Sequence, residues 1–331
     1  MRPVSDLTRA AASAAARLGQ ATRVLVVSHT APDGDALGSA LGAAEIIRAL
    51  GASAVVLSRD PFPSSLGFLP GIDRVLVQAA MPKDWPDAYD LVLVLECPDL
   101  ERTGFEAELR RRPIVSIDHH LPDESYGQLD YLDPEAPAVG EMLLHVADAA
   151  GVQLTPSMAT CLYTALVTDT GDFRYSNATP RAFEAAARLV AAGANPSAIA
   201  EGLWGHTPAR VVRLTAAILS TLELEAGGRV ATVWCDAAML QRTGATAADT
   251  ENIINIPRGI DGVEVAVLLK AFNPGSVRVS LRSRDRVDVQ AVASRFGGGG
   301  HRAAAGCTVP GTLAEAREAV LAALLPRLES S

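Results

Sequence analysis

Short, uninterrupted runs of Val, Leu and Ile set the strongest limit on how this chain can fold. Arg23–Ser28 reads RVLVVS, Leu91–Leu95 reads LVLVL and Pro113–Ile117 reads PIVSI, with Ser53–Ser58 and Asp73–Val77 as further strand candidates. A strand with one wet face alternates apolar and polar residues, whereas a strand covered on both faces has no polar set to show. The runs therefore predict a mostly parallel sheet flanked by helices, an α/β class. Asp35–Leu50, closed by Gly51, and Met158–Thr168 are expected helices. A third, over Thr179–Ala192, starts on Thr179 and Pro180 and stops before Gly193, the residue types that helix ends favour.

From Asn195 to Leu222 the pattern stays helical, and then it changes. Arg229–Cys235, Val263–Phe272 and Ser276–Arg282 read as strands, the last two separated by the turn-like Asn273-Pro274-Gly275. A short helix near Val287–Phe296, a glycine run and a final helix after Thr312 follow, with Thr312 and Glu315 spaced as a capping box. The expected layout is a catalytic domain over 1–194, a helical linker over 195–222 and a smaller C-terminal α/β domain over 223–331.

At 331 residues there is chain for about two domains. A net charge of −9 argues against a broad basic face for duplex DNA, though not against a phosphorylated ligand or short strand in one basic pocket. Cys97, Cys161, Cys235 and Cys307 are far apart and form no C-x-x-C pair. They are expected to be buried thiols in a reducing compartment. No segment has the length of apolar sequence that a spanning helix needs, and the Ala-rich start lacks the apolar core of a secretory signal and suits a capping helix. The expectation is a soluble, cytoplasmic protein.

Acidic residues and histidines gather where apolar runs end. His29, Asp33 and Asp35 follow VLVVS, Glu96 follows LVLVL, Asp118, His119 and His120 end PIVSIDHH, and Asp169 follows an apolar helical stretch. In a parallel sheet the residues beyond the carboxyl ends of strands share one rim, where sites collect. Placing His29, Asp33, Asp35, Glu96, His120 and Asp169 there would bring four carboxylates and two imidazoles together, and four carboxylates that close cannot all stay ionised without cations. A pair of divalent metals is the economical answer. The mixed oxygen and imidazole set suits manganese, or iron, cobalt or zinc, and two such ions can clamp both oxygens of an in-line phosphoryl displacement. A lone Asp33 or Asp118 would be an ordinary cap or turn residue; four clusters that each end an apolar run are not. His145 and His206, inside helical stretches, are expected to be surface or packing residues.

The run Phe296-Gly297-Gly298-Gly299-Gly300-His301, followed by Arg302-Ala303-Ala304-Ala305-Gly306, is the other strong feature. Consecutive glycines let backbone N–H groups approach a ligand and form an anion-binding nest. His301 can donate to a phosphate. Arg282 and Arg258 are further candidate phosphate or base partners.

Together SHTAPDGDALGS, SIDHHLPD, LVTDTGDFRYSN and FGGGGHRAAAG resemble the DHH phosphoesterases with a C-terminal DHH-associated domain, in particular the nanoRNase/pAp phosphatase group of bacterial oligoribonucleases. The match runs from about residue 20 to about residue 325 in the family's motif order. The resemblance implies a dinuclear manganese site. His29 and Asp33 would bind one ion, Asp35, His120 and Asp169 the other, and position 96 would bridge them. His119 would contact the scissile phosphate or assist the leaving group, and Asp118 would orient the histidines. The C-terminal domain would hold the far end of the substrate through Gly298, Gly299, Gly300, His301 and Arg282, in a cleft that excludes long or double-stranded substrates. The family usually has Asp where this chain has Glu96, and Asp99 is a substitute ligand if its loop folds back.

The implied reaction is hydrolysis by a metal-bridging hydroxide attacking phosphorus in line. Short oligoribonucleotides would be trimmed to nucleoside 5′-monophosphates, and pAp would be a second substrate. Phe173 and Tyr175, just past Asp169, are candidates to stack on a base. A cyclic dinucleotide phosphodiesterase uses the same centre and stays open, while a manganese pyrophosphatase and a long-strand DNA exonuclease fit less well. A nucleotide-binding module without catalysis has only Glu96 in its favour. The expected partners are short single-stranded RNA or small phosphorylated nucleotides, neither a membrane nor duplex DNA, with self-association into a homodimer left open.

Overall fold

The apolar runs fold as parallel strands. The computed structural model describes residues 4–122, 124–250, 252–284 and 286–329, and the chain divides into two compact units, Met1–His206 and Thr207–Ser331. The stretch 195–222 is shared between them, because it holds two helices, Pro196–Trp204 and Ala209–Leu219, with the division at His206.

The first unit runs α1 (Val4–Gly19), β1 (Arg23–Val27), α2 (Gly34–Ala49), β2 (Ser53–Ser58), β3 (Leu76–Val77), β4 (Leu91–Leu95) and α3 (Glu106–Leu109). It continues with β5 (Ile114–Asp118), β6 (Leu129–Leu132), α4 (Val139–Ala149), α5 (Pro156–Asp169), α6 (Pro180–Ala191) and α7 (Pro196–Trp204). Its sheet has the order β3-β2-β1-β4-β5-β6, and every pair is parallel. The absence of alternation now has its physical reason. Val24, Val26, Leu91 and Leu93 point into one buried cluster, and Leu25, Val27, Val92 and Val94 into another on the opposite face. The direction of winding reverses between β1 and β4, and a crevice opens at such a switch point, beyond the carboxyl ends of the strands.

Helix α2 is buried along nearly its whole length, and glycine spacing explains how. Gly34, Gly38 and Gly42 form a ridge every fourth residue, and each faces α5: a Cβ on Gly38 would lie 2.5 Å from the Cys161 carbonyl oxygen, one on Gly34 would strike Thr168, and one on Gly42 would strike Leu162. Gly140 brings α4 onto Ala165 and Leu162 of α5 in the same way. Removing Cβ lets the helices approach closely, so the start of α2, the start of α4 and the end of α5 meet at one place.

The second unit comprises α8 (Ala209–Leu219), β7 (Glu223–Glu225), β8 (Val230–Asp236), α9 (Ala237–Thr243), α10 (Asn255–Arg258) and β9 (Val265–Asn273). After these come β10 (Ser276–Ser283), α11 (Val289–Ser294), β11 (Gly299–His301), β12 (Ala304–Pro310) and α12 (Leu313–Glu329). Its sheet, β11-β12-β10-β9-β8-β7, is antiparallel except for the parallel pair β8–β9. The expected capping box is present: the Thr312 N–H and hydroxyl donate to Glu315, and the Glu315 N–H donates back to the Thr312 hydroxyl. All four cysteines are free and buried. Among the described residues, no helix is long and apolar enough to cross a membrane.

Candidate metal centre

The crevice at the switch point is lined by the residues that follow β1, β4 and β5. Asp33 caps α2, its carboxylate accepting from the Ala36 N–H at 3.0 Å. Asp35, 1% exposed, accepts from the Ser39 hydroxyl at 2.7 Å and from the N–H groups of Val139 and Gly140 at the start of α4, at 2.8 and 3.2 Å. A helix N-terminus is where a carboxylate is best tolerated without a cation. Glu96 follows β4 with a φ of +58°. That left-handed conformation costs a non-glycine residue about 1–3 kcal/mol and persists where the surroundings impose it. It leaves the Glu96 side chain buried among the other acids.

Hydrogen bonds to the histidine rings define what the cluster lacks. His119 Nδ1 lies 3.0 Å from the Ala136 carbonyl oxygen and His29 Nδ1 lies 2.8 Å from that of Thr30. A carbonyl can only accept, so both Nδ1 atoms donate, and in the neutral ring Nε2 is left with a lone pair. His119 Nε2 points it at Glu96 Oε1, 3.2 Å away, and at Asp169 Oδ2, 3.8 Å away. His29 Nε2 points at Asp33 Oδ1, 3.8 Å away. His120 Nδ1 donates to Asp118 Oδ1 at 2.9 Å, an oxygen that also accepts the His120 backbone N–H. Lone pairs that face one another call for a positive charge between them. Glu96 Oε1 and Asp118 Oδ2 are buried with no hydrogen-bond partner among the described residues, a state costly for any buried acceptor.

Protons answer part of that demand. Burial, followed by Asp35, Asp118 and Asp169, pushes the Glu96 carboxyl up to about 11. Burial and then Asp35 push Asp169 up to about 7, and burial raises Asp35 as well. Burial alone would raise Asp33, but His29 and the Ala36 N–H outweigh it and hold Asp33 low. The hydrogen bond to Asp118 holds His120 above the usual imidazole range. Burial opposes the same rise in His29, where Asp33 and the Thr30 carbonyl prevail. These mutual effects tie Asp33, Asp35, Glu96, Asp118 and Asp169 into one electrostatic unit.

Ligand atoms within 4.8 Å of one another fall into two overlapping groups, Glu96 with Asp118, His119 and His120, and Asp35 with His119 and Asp169. The ring within reach of Asp35 and Asp169 is therefore that of His119, where the sequence expectation had His120. The bond from Nδ1 to Ala136 turns the His119 ring inwards, and the bond to Asp118 holds the half-exposed His120 beside Glu96. Asp99, the substitute ligand, is engaged elsewhere, capping the turn Leu100–Thr103 through the Arg102 N–H. Phe173 stacks on Phe183 with centroids 5.1 Å apart and meets Tyr163 edge-on, which leaves Tyr175, 55% exposed, as the freer ring.

Sequence reading missed three contributors. Asn177 donates through Nδ2 to the Asp169 backbone and side-chain oxygens, each at 3.2 Å, and to the Pro137 carbonyl at 3.0 Å. Arg102 is close enough to disfavour protonation of both His29 and His120. Its chain position is fixed by Thr30, whose N–H donates to the Arg102 carbonyl at 2.7 Å. Ser39, one turn after Asp35, holds the Asp35 carboxylate. Asn177 lies inside the quoted stretch after Asp169, but nothing in its spacing marks it.

In the second unit, residues 299–301 form an edge strand on β12 where the sequence suggested a glycine nest. Gly298 and Gly300 are glycines for packing: a Cβ on either would meet β12 backbone, at Gly306 and at Ala304–Ala305. Gly299 faces open space. Gly298 and Gly299 border a cavity of about 420 Å³ with Lys270, Arg278, Ser280 and Thr308. A neighbouring cavity of about 230 Å³ is lined by Lys270, Ser280, Asn252 and Arg282. Burial and then the nearby Arg258 lower the pKa of Arg282, so two guanidinium groups share this surface. His301, at the end of β11, is exposed and borders neither cavity.

Comparison with known proteins fits this arrangement. Residues 23–166 match the model of the DHH family, N-terminal domain, and residues 227–329 match that of the DHHA1 domain. The chain is 33% identical over 306 residues to the bifunctional oligoribonuclease and PAP phosphatase NrnA of Thermus thermophilus, covering 92% of this chain and 90% of that protein. The protein of the same name from Bacillus subtilis is 27% identical over 291 residues, covering 86% and 89%. Among solved structures, an exopolyphosphatase-related protein from Bacteroides fragilis superposes with a TM-score of 0.85 at 24% identity over 96% of each chain. RecJ of Thermus thermophilus, solved in complex with Mn2+, superposes with a TM-score of 0.53 at 17% identity, over 98% of this chain and 55% of that one. Both domain matches and the 33% identity over nine-tenths of each chain place this protein, with its acids and histidines at the switch point of a parallel sheet, in the DHH phosphoesterase family, as a hydrolase with an N-terminal DHH domain and a C-terminal DHHA1 domain.

Proposed function

We propose that the chain is a manganese-dependent nanoRNase that hydrolyses short single-stranded oligoribonucleotides to 5′-mononucleotides and converts pAp to AMP. The observation that carries this reading is the His119 lone pair turned onto the buried, unpartnered Glu96 Oε1 and towards Asp169, with that of His29 turned towards Asp33, a donor set that fits two hard to borderline divalent cations. His29 and Asp33 would hold one ion, and Asp35, His119 and Asp169 the other. Glu96 would bridge them. Cations bound there acidify water and neutralise charge that builds on the non-bridging phosphate oxygens.

The remaining residues act on the substrate. His120, half exposed and with Nδ1 fixed by Asp118, presents Nε2 to the phosphate or leaving oxygen. This exchanges the roles that the resemblance alone gave to His119 and His120, with Asp118 kept as the orienting carboxylate. Arg102 offers a guanidinium to a non-bridging oxygen. Arg282, Arg258, Gly298, Gly299, Gly300 and His301 would form the nucleotide-binding surface, with the two guanidinium groups as the donors suited to phosphates and base edges. The names of the curated relatives support oligoribonucleotides and pAp as substrates.

The test is incubation of pure protein and Mn2+ with a panel: a short RNA series, pApA, pAp, cyclic di-AMP, pGpG and pyrophosphate. Nucleoside monophosphates from the short RNAs and AMP from pAp are expected. Turnover confined to cyclic di-AMP would move the assignment to a cyclic dinucleotide phosphodiesterase, and no turnover of any member would favour a nucleotide-binding module.

A further inference from the structure

The segment Asp133–Glu141, between β6 and α4, touches the candidate centre at four points. The Asp133 N–H donates to the Asp118 carbonyl at 3.1 Å. The Ala136 carbonyl accepts from His119 Nδ1 at 3.0 Å. The Pro137 carbonyl accepts from Asn177, which also holds Asp169. The N–H groups of Val139 and Gly140 hold Asp35. Five backbone positions within this segment thus set the orientation of ligands that come from β5, α2 and α5.

One side chain holds both ends of this segment. Arg181, on α6, places Nη2 at 2.8 Å from Asp133 Oδ2 and at 2.7 Å from Glu141 Oε2, while its Nε donates to Glu141 Oε1 at 3.1 Å. Asp133 and Glu141 are each 3% exposed. A buried acid that loses its partner is left with an uncompensated charge, and the local backbone moves to relieve it. His145 also reaches Glu141 Oε1, at 2.9 Å, but no such contact joins it to Asp133 among the described residues.

We infer that Arg181 is a positioning residue: it pins Asp133 and Glu141 so that the backbone between them aims His119, Asp35 and Asp169 at the cations. This rests on the metal-centre reading. An outer contact that orients a ligand typically changes metal affinity by about 10–100-fold.

A matched control lies on the same two helices. Arg188 of α6 pairs with Asp148 of α4 at 2.6 Å, so its loss weakens the α4–α6 contact without touching the segment. Mn2+ binding to wild type, Arg181→Ala, Arg181→Lys and Arg188→Ala is measured by electron paramagnetic resonance of the free ion, beside the melting temperature and kcat and KM on pAp. The inference expects Arg181→Ala to bind Mn2+ about 10–100-fold more weakly, with kcat lowered and KM for pAp little changed at subsaturating metal. Arg181→Lys, which can keep one of the two pairs, should fall between, and Arg188→Ala should match wild type. Wild-type Mn2+ affinity in both Arg181 variants overturns the inference while leaving the metal centre intact. So does an equal loss in Arg188→Ala, which would trace the effect to helix packing. If Arg181→Ala does not fold, Arg181→Lys decides. A wild-type protein that takes up no Mn2+ overturns the metal reading, and this inference with it.

Discussion

The two candidate sites in this chain are built from opposite materials. The centre in the first unit is a convergence of acceptors: carboxylates, and imidazoles whose donating nitrogens are already spent on Ala136, Thr30 and Asp118. The basic face of the second unit is a convergence of donors, with Lys270, Arg278 and Arg282 above a floor of glycine and hydroxyl residues. The first is built around the buried Asp35, Glu96 and Asp118, and the second is open and half exposed. The comparison teaches that net charge is a poor guide to ligand charge. A chain at −9 carries a candidate place for cations and a candidate place for anions, and phosphoester chemistry needs both.

Substitutions should separate the two. Asp35→Asn keeps the size of the side chain and removes its charge, and kcat on pAp should fall by about 10³-fold or more, since metal sites supply several kcal/mol of transition-state stabilisation. Arg282→Ala and His301→Ala should instead raise KM by about 10-fold, the cost of one hydrogen bond to a charged group, with Mn2+ affinity unchanged. Steady-state kinetics with a metal titration checks both, and a loss of Mn2+ binding in Arg282→Ala would merge the two sites.

The acidic centre also makes a stability prediction that the basic face does not. Glu96 and Asp169 are pushed up to about 11 and about 7. An acid with a raised folded-state pKa keeps its proton after the unfolded chain has released it, so the folded state binds more protons and stability falls as pH rises. In a chelator, the melting temperature should therefore drop from about pH 5 to about pH 9, and Glu96→Gln should flatten that slope. Added Mn2+ should restore most of the loss at the alkaline end. A melting temperature in chelator that rises over this range would refute the crowding of acids.

Packing gives a smaller contrast. Gly38→Ala pushes a Cβ onto the Cys161 carbonyl and the Ala165 backbone, and overpacking of this kind costs about 1–3 kcal/mol. Because Gly38 sits one turn from Asp35, activity should fall with stability. Gly299→Ala meets open space, so its melting temperature should stay near that of wild type. Denaturant midpoints for the pair test this.

What was legible in the sequence follows the same division. Apolar runs covered on both faces, and the acids and histidines that end them, are local patterns, and they placed β1, β4 and β5 and the rim they share. Short β6 carries too little pattern to see. The choice between His119 and His120 depends on the Ala136 carbonyl, 17 positions along the chain, and the places of Asn177 and Arg181 depend on contacts 40 positions long. No spacing rule reaches that far. The glycine run predicted a loop because backbone pairing with β12 leaves no mark on side chains.

Glu96 gives the finest comparison, because it is the one candidate ligand that the family resemblance would have made Asp. Its φ of +58° is uncomfortable for Glu, whereas Asp enters that region more readily. Glu96→Asp should thus relieve backbone strain and raise the melting temperature slightly, by an amount worth less than about 1 kcal/mol. The lost methylene withdraws the carboxylate from His119 and His120, which now lie 3.2 and 3.7 Å from its oxygens. Mn2+-dependent turnover of pAp should stay within about 3-fold of wild type or improve, a change of less than about 1 kcal/mol in barrier. Complete loss of turnover with Mn2+ still bound would mean that the longer carboxylate is required for the geometry of this centre. It would then be a specialised feature of this chain and not a tolerated variant.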